Sequence, residues 1–397
     1  MANKPRFEGE RVRLGDVCKV VSGATPKSKN PDYWGGNIKW VTPAELDDGS
    51  HYIADTAKHI TEAGFSSANL HMLPAGTVLL TTRAPIGKVA ITQAEMCCNQ
   101  GFKNLICSDV INNEFLYRVL RFHSSALQAM GHGATFKELS KKNIESFELQ
   151  IPSLVAQKNV VAALEAVERL ILLVSKQLSL LDNLVKSRFV EMFGGASSIK
   201  KKWRSSILKD CVESLESGKS PSCKSIPRKE LGPGVLKLSA LSSGRFISSE
   251  NKAMLDGELI VPAKEVRRGD ILIARKNTPE LVGSCVLVHE DVKNLMFPDI
   301  VFRMRPNVNV NGEYLAMLLS GPSYSGEVKG LAHGSNKSMS NIPKSELAKL
   351  PIPLPPLALQ EEFADFVAAV DKSRFVIQQQ IDKLKTLYDS LAQEYFS

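Results

Sequence analysis

The sequence predicts an α+β chain: two β-rich domains in a pseudo-twofold tandem repeat, separated by two long helices that pair as an antiparallel coiled coil. Three observations predict it. Short motifs recur in order at offsets of 195 to 203 residues, a heptad seam follows each copy, and short apolar runs bounded by Gly, Pro and Asn fill the remainder.

The repeat comes first, because a missed duplication misreads the architecture. Ser22-Gly23 and Pro26 return as Ser217-Gly218 and Pro221, an offset of 195. The run from Gly76 to Ile91 returns loosely from Gly269 with a lengthened loop. His132-Gly133, Glu145, Leu149 and Ile151-Pro152 return as His333-Gly334, Glu346, Leu350 and Ile352-Pro353 at offset 201. Pro-x-Leu-x-x-Gln occurs from Pro152 to Gln157 and from Pro355 to Gln360, at offset 203. The order is preserved and the offset drifts only by loop-sized steps, which chance matches do not produce.

After each Gln comes a seam. Val160, Leu164, Val167, Ile171, Val174, Leu178, Leu181 and Val185 alternate four and three apart, the spacing of a coiled coil. Shifted by 203, the seam returns as Phe363, Val367, Val370, Arg374, Ile377, Ile381, Leu384, Tyr388 and Leu391. Neither run contains Gly or Pro, and helices over 157–193 and 360–397 would each reach about 55 Å. One such helix would pack on its own domain; two in matching register are expected to pair with each other. Arg374 stands where Ile171 does and Arg188 stands opposite Leu391, two polar seam positions suited to fixing register.

The rest reads as β-rich. Thr77 to Leu80, Lys88 to Thr92 and Asp270 to Ala274 are short apolar runs between turn residues, with helical patches at Asn113 to Phe122 and Glu313 to Leu319. Expected domains are therefore 1–153 and 197–355, with helical spacers at 154–196 and 356–397; Gly194 to Ser198 marks the boundary between halves.

The 397 residues are 43% apolar and 23% charged, the composition of a chain with real cores. Seven cysteines, odd in number and without Cys-x-x-Cys or Cys/His spacing, suggest neither a disulfide framework nor a zinc site and fit a reducing cytoplasm. No apolar signal core or membrane-length stretch is present, so the chain is expected to be soluble and untargeted. The net charge is +8; residues 157–193 carry five positive and four negative groups and 360–397 carry four and seven, so +10 lies outside the helices. A polyanionic partner is the natural reading.

Catalytic devices are thin. Gly218-Lys219-Ser220 resembles the end of a phosphate loop, but the Gly that motif requires is replaced by Glu213. Leu354-Pro355-Pro356-Leu357 lacks the acid or amide and the aromatic of a base-flipping methyltransferase loop, and Pro298-Asp299 is not followed by the Glu-x-Lys of a nuclease metal site. His132 and His333, each before a glycine, read as turn residues. A binding protein without catalytic or metal-ligating residues is expected.

For duplex DNA as the polyanion, phosphate contacts come from cations and hydroxyls, and base readout from side chains that enter a groove. The first half offers Thr25, Lys27, Lys29, Tyr33 and Lys39, a basic stretch in which Trp34 reads as core packing. Arg83 sits at an expected hairpin tip beside Thr81, Thr82 and Lys88, and Lys137 on a polar loop. The second half offers Lys219, Arg245, Arg275, Lys276, Asn336 and Lys337.

Taken together, SGATP, YWGGNIKWV, GTVLLTTRAPIGKVAI, GATFKELS and IPSLVAQ, with a diverged second round in the same order, carry a resemblance. The chain resembles, over essentially its whole length, the specificity subunit of type I restriction-modification systems. The resemblance implies two target recognition domains, each reading one half of a split DNA site, with the helices as a ruler. It implies no cofactor in this chain, methyltransferase (modification) subunits, two of them, docked on the helices, and ATP-dependent restriction subunits completing the complex. Domains roughly 40–50 Å apart would reach half-sites a little over one DNA turn apart, leaving an unread spacer. The chain departs from the family where Ala156 and Leu359 replace a Glu before the helix-opening Gln. Leu238 to Leu241, standing where the first half has Trp40 to Pro43, suggests that the domains read different sequences. The competing reading is a coiled-coil scaffold with two protein- or glycan-binding domains; a lone methyltransferase is a third.

Overall fold

Where β-branched and aliphatic residues run together between turns, strands form, and here they are buried on both faces. Val78–Thr81, Val89–Thr92 and Ile271–Ala274 are buried at every position, the pattern of strands covered on both sides rather than alternating towards solvent. The computed structural model describes residues 9–83, 85–131, 138–334 and 339–397. It divides into two compact units, Met1–Val174 with Gln380–Ser397, and Ser175–Gln379.

The first unit has a five-stranded sheet in the spatial order Cys18–Ser22, Phe102–Cys107, Val78–Thr81, Val89–Thr92, Tyr52–Ile53. A second sheet sets Trp34–Val41 antiparallel to His59–Ile60 and parallel to Cys97–Cys98. Glu10–Arg13 pairs with Glu148–Ile151. The second unit repeats this plan. Its main sheet runs Val212–Ser217, Val301–Pro306, Ile271–Ala274, Cys285–Leu287. Gly234–Leu236 lies antiparallel to Asn251–Ala253 and parallel to Leu295–Met296, and Arg204–Ile207 pairs with Pro351–Leu354. The small sheets, each with one antiparallel and one parallel neighbour, and the matching terminal pairs make the duplication visible in the hydrogen-bond ladders, while among the described residues the parallel edge strand Tyr52–Ile53 of the first main sheet has no counterpart in the second.

Two helices of 40 residues, Leu154–Phe193 and Leu357–Phe396, each about 60 Å long, dominate the rest. Both begin three residues before the Gln from which the sequence started them, since Pro152-Ser153 and Pro355-Pro356 suit the entry to a first turn. The unit boundary falls inside both, so each unit contains a piece of each helix. In the first unit Val160, Val161 and Leu164 share a core with Tyr388, Leu391, Tyr395 and Phe396. In the second, Val185, Phe189, Met192 and Phe193 share one with Phe363, Val367 and Val370. There the pairing is antiparallel: Asp182 meets Arg374 at 2.8 Å while Arg188 meets Glu362 at 3.0 Å.

The recurring Gln is the joint between domain and helix. Gln157 is fully buried; its carbonyl oxygen accepts from Asn112 N at 2.8 Å and its amide donates to Val110 O and Pro152 O, both at 2.9 Å. Gln360, equally buried, accepts from Asn311 N at 2.9 Å and donates to Pro355 O at 2.8 Å. Asn112 and Asn311 in turn cap the helices Asn113–Phe122 and Gly312–Ser320, satisfying backbone donors that have no partner within the helix.

Candidate nucleic-acid interface

The loop joining Val78–Thr81 to Val89–Thr92 is shaped by hydroxyls. Thr81 donates to Pro85 O at 2.8 Å and accepts from Lys88 N at 3.0 Å, while Thr82 donates to Gly101 O at 3.2 Å. Both threonines are fully buried, so their hydroxyls build the loop and do not face outward. Lys88 donates to Leu46 O at 2.6 Å and Lys39 to Ala54 O at 2.6 Å, which spends these ammonium groups on the protein's own carbonyls. Arg83 is exposed and lies 3.0 Å from Glu138, which is also 4.0 Å from the nearly buried Lys103. Burial pulls the Lys103 ammonium below its ordinary range, with Glu138 opposing the shift.

Thr25, Lys27 and Lys29 are exposed; Tyr33 is half-buried. Trp34 is also half-buried, edge-on to Trp40 at 5.0 Å between centroids, and serves as packing. Lys137, Asn336 and Lys337 lie outside the described residues.

The second unit aligns the loop differently from its sequence. Thr82 N donates to Gly101 O and its carbonyl accepts from Leu139 N; Arg275 N donates to Ile300 O and its carbonyl accepts from Ile342 N. Arg275 therefore occupies the place of Thr82, and Lys276, which pairs with Asn341, the place of Arg83, which bridges to Glu138. Arg275 is half-buried, with its guanidinium over the Phe302 ring at 5.0 Å and Nε donating to Asn341 Oδ1 at 3.3 Å. Lys276 and Lys219 are exposed. Arg245 stands apart from this group: it lies 3.5 Å from Asp182 and from Asp371, on the long helices.

Of the seam residues, Leu164, Val167, Val185, Val367, Val370 and Ile381 are buried, and Ile171, Val174, Leu178, Leu181, Ile377, Leu384, Tyr388 and Leu391 half-buried. Arg374 in the seam is held by Asp182 and, at 3.1 Å, by Asp371. Apolar residues remain exposed off the seam in each unit, Leu172 at 71% in the first and Phe375 at 65% in the second.

Sequence reasoning missed the ionic clamps behind these surfaces. Arg118, 1% exposed, meets Glu114 at 2.7 Å, Glu168 at 3.0 Å and Glu165 at 3.4 Å. Burial raises the Glu114 carboxyl, but hydrogen bonds from His51, Tyr52 and Arg118 outweigh it and hold the pKa at about 2. The duplicate position is Glu313, and there Met317 replaces the arginine. Burial first and the charge of Asp371 second push the Glu313 carboxyl up to about 7, with Arg245 opposing. His289 lies 3.3 Å away, its own pKa lowered by burial.

A carboxyl whose folded pKa is raised stabilises the fold fully below its unfolded value near 4.5, and that contribution is lost as pH rises through about 7. Glu313→Gln is therefore expected to flatten the pH dependence of unfolding between those values and to stabilise the chain at pH 8 relative to the parent. Urea midpoints across that range, followed at Trp203, test it. Parallel curves for parent and variant would count against the assignment.

A family model described as the type I restriction modification DNA specificity domain matches residues 8–182. The MjaIX type I restriction enzyme specificity subunit of Methanocaldococcus jannaschii is 35% identical over 46% of this chain and 43% of its own length. The Escherichia coli EcoEI specificity subunit is 29% identical over 45% of this chain and 31% of its own. The match thus spans less than half the length of either relative. A third, the M. jannaschii MjaVIII specificity subunit, is 24% identical over 91% of this chain and 86% of its own length. Among solved structures, a chain of a type I R-M system aligns over 99% of this chain and 98% of its own with TM-score 0.59 and 19% identity. The S subunit from M. genitalium aligns over 100% and 98% with TM-score 0.52 and 10% identity, a likeness of fold.

Proposed function

We propose, from its similarity to the specificity subunits of type I restriction-modification systems, that the chain is such a subunit and reads a bipartite duplex DNA site for a methyltransferase and restriction complex without catalysing a reaction itself. The observation that carries the reading is the duplication of the sheets, each copy presenting exposed cations on equivalent loops: Lys27, Lys29 and Arg83 in one, Lys219 and Lys276 in the other. Residues 1–153 and 197–355 are the recognition domains in this reading, and 154–196 and 356–397 the spacers whose length sets the gap between half-sites. Two methyltransferase subunits dock on exposed apolar residues of the helices, and ATP-dependent restriction subunits join them. The complex works in the cytoplasm; among the described residues no helix is long and apolar enough to cross a membrane.

Selecting duplexes from a random pool, with a methyltransferase subunit present, tests this directly. Two short preferred sequences around a fixed unread gap are expected, and log affinity should fall steeply with log salt as phosphate counterions are released. Failure to bind any duplex at low salt would favour a scaffold that binds protein or glycan. Arg83→Ala should relax preference in one half-site by about tenfold; equal loss in both halves would contradict independent domains. A four-residue insertion in one long helix should change the preferred gap, and an unaltered gap would remove the ruler.

A further inference from the structure

At one place the two units keep the same backbone and change a side chain. Gly23 N donates to Phe102 O at 3.4 Å and Ala24 N to Cys98 O at 3.0 Å; Gly218 N donates to Val301 O at 3.2 Å and Lys219 N to Phe297 O at 3.0 Å. The strands approach so closely that a Cβ on Gly23 would lie 2.0 Å from Asn99 O, and one on Gly218 2.1 Å from Phe297 O. Only glycine permits that contact, and it locks one loop onto the next in both units. On this frame the Thr25 hydroxyl donates to Gln100 Oε1, and the Ser220 hydroxyl to Asp299 Oδ1. Asp299 N completes the second pair by donating to Ser220 Oγ at 3.1 Å.

Gln100 and Asp299 are both exposed, each in the turn that leads into the strand beside the first of its sheet. Exposed Lys27 and Lys29 follow Thr25, and exposed Lys219 precedes Ser220, so cations flank both positions. The hydroxyl holds each side chain in one orientation before a ligand arrives, which lowers the entropy cost of binding. The frame is common, but the hydrogen-bonding code is not. An amide offers a donor and an acceptor, whereas a carboxylate only accepts. In the major groove an amide pairs with adenine N6 and N7, and a carboxylate accepts from cytosine N4.

We propose that Gln100 and Asp299 are equivalent base-reading residues of the two units, Gln100 taking adenine in one half-site and Asp299 the amino group of cytosine in the other. The assignment rests on the DNA reading above. Holding a hydroxyl in place needs only an acceptor oxygen, which either side chain supplies. A change of donor and acceptor pattern on a preserved backbone is what two domains built to read different sequences require.

The test uses the full chain with its methyltransferase subunit and selection from a random duplex pool, with Gln100→Glu and Asp299→Asn beside the parent. Both substitutions keep shape and exchange the codes. Gln100→Glu should move one position of its half-site from adenine towards cytosine by roughly tenfold, and Asp299→Asn should do the reverse in the other half. Thr25→Val, which removes the hydroxyl and leaves Gln100, should weaken the adenine preference without transferring it. Variants that melt with the parent and select the parental bases overturn the assignment while leaving the DNA reading intact. A parent chain that enriches no split sequence overturns both.

Discussion

Replacing Arg118 with Met is expected to destabilise the first unit by about 3–5 kcal/mol. The guanidinium is buried, and three carboxylates from two elements converge on it: Glu114 from its own helix, Glu165 and Glu168 from the first long helix. Removing the cation leaves these acids facing one another in a poorly solvated site, where repulsion is weakly screened. Glu114, held at about 2, should then titrate higher. Its folded pKa lies below the unfolded one, so the parent keeps this contribution above about 4.5 and loses it as pH falls through about 2. Arg118→Met should lose the arginine's share of it already at neutral pH, while His51 and Tyr52 keep theirs. In a Trp203→Phe background the remaining tryptophans, Trp34 and Trp40, both report on the first unit. A urea midpoint equal to that of the Trp203→Phe parent would refute the clamp, and Glu168→Gln added to Arg118→Met should recover part of the loss.

Gln157→Leu is the second. Leucine fills much of the space but strands Asn112 N, Val110 O and Pro152 O in a fully buried site. Each stranded polar group costs on the order of 1–3 kcal/mol, giving an expected loss of about 3–5 kcal/mol once local relaxation is allowed. Gln360→Leu strands one group fewer, Asn311 N and Pro355 O, and should cost less. Urea titrations ranked against their own backgrounds, Trp203→Phe for the first unit and Trp34→Phe with Trp40→Phe for the second, where Trp203 alone reports, order the pair; a larger effect at Gln360 would contradict the hydrogen-bond accounting.

The architecture was legible because its signals are periodic or repeated. Heptads placed both long helices, and the offset of 203 paired Pro-x-Leu-x-x-Gln with its copy before any partner of the Gln was known. Its role was hidden, since Asn112 lies 45 residues from Gln157 and only the folded loop brings them together. Arg118 escaped for the same reason: nothing local links it to acids 47 and 50 residues on. Thr81 and Thr82 are candidate contacts by their place beside Arg83, but a sheet covered on both faces turns their hydroxyls inward. Arg245 was grouped by charge with the cations of its half, whereas proximity to Asp182 and Asp371 directs it to the helices. Gln100 carried no signal at all until its copy, Asp299, could be placed on the same backbone.

Because residues 380–397 complete the core that begins with residues 1–174, the chain order matters while the protein is being made. Phe396 packs against Phe115, their rings 5.7 Å apart, and its carbonyl accepts from His123 at 3.1 Å. A ribosome therefore delivers every residue of the second unit before it delivers residues 380–397 to the first. The first unit must wait, its core incomplete, for a segment synthesised after all of the second.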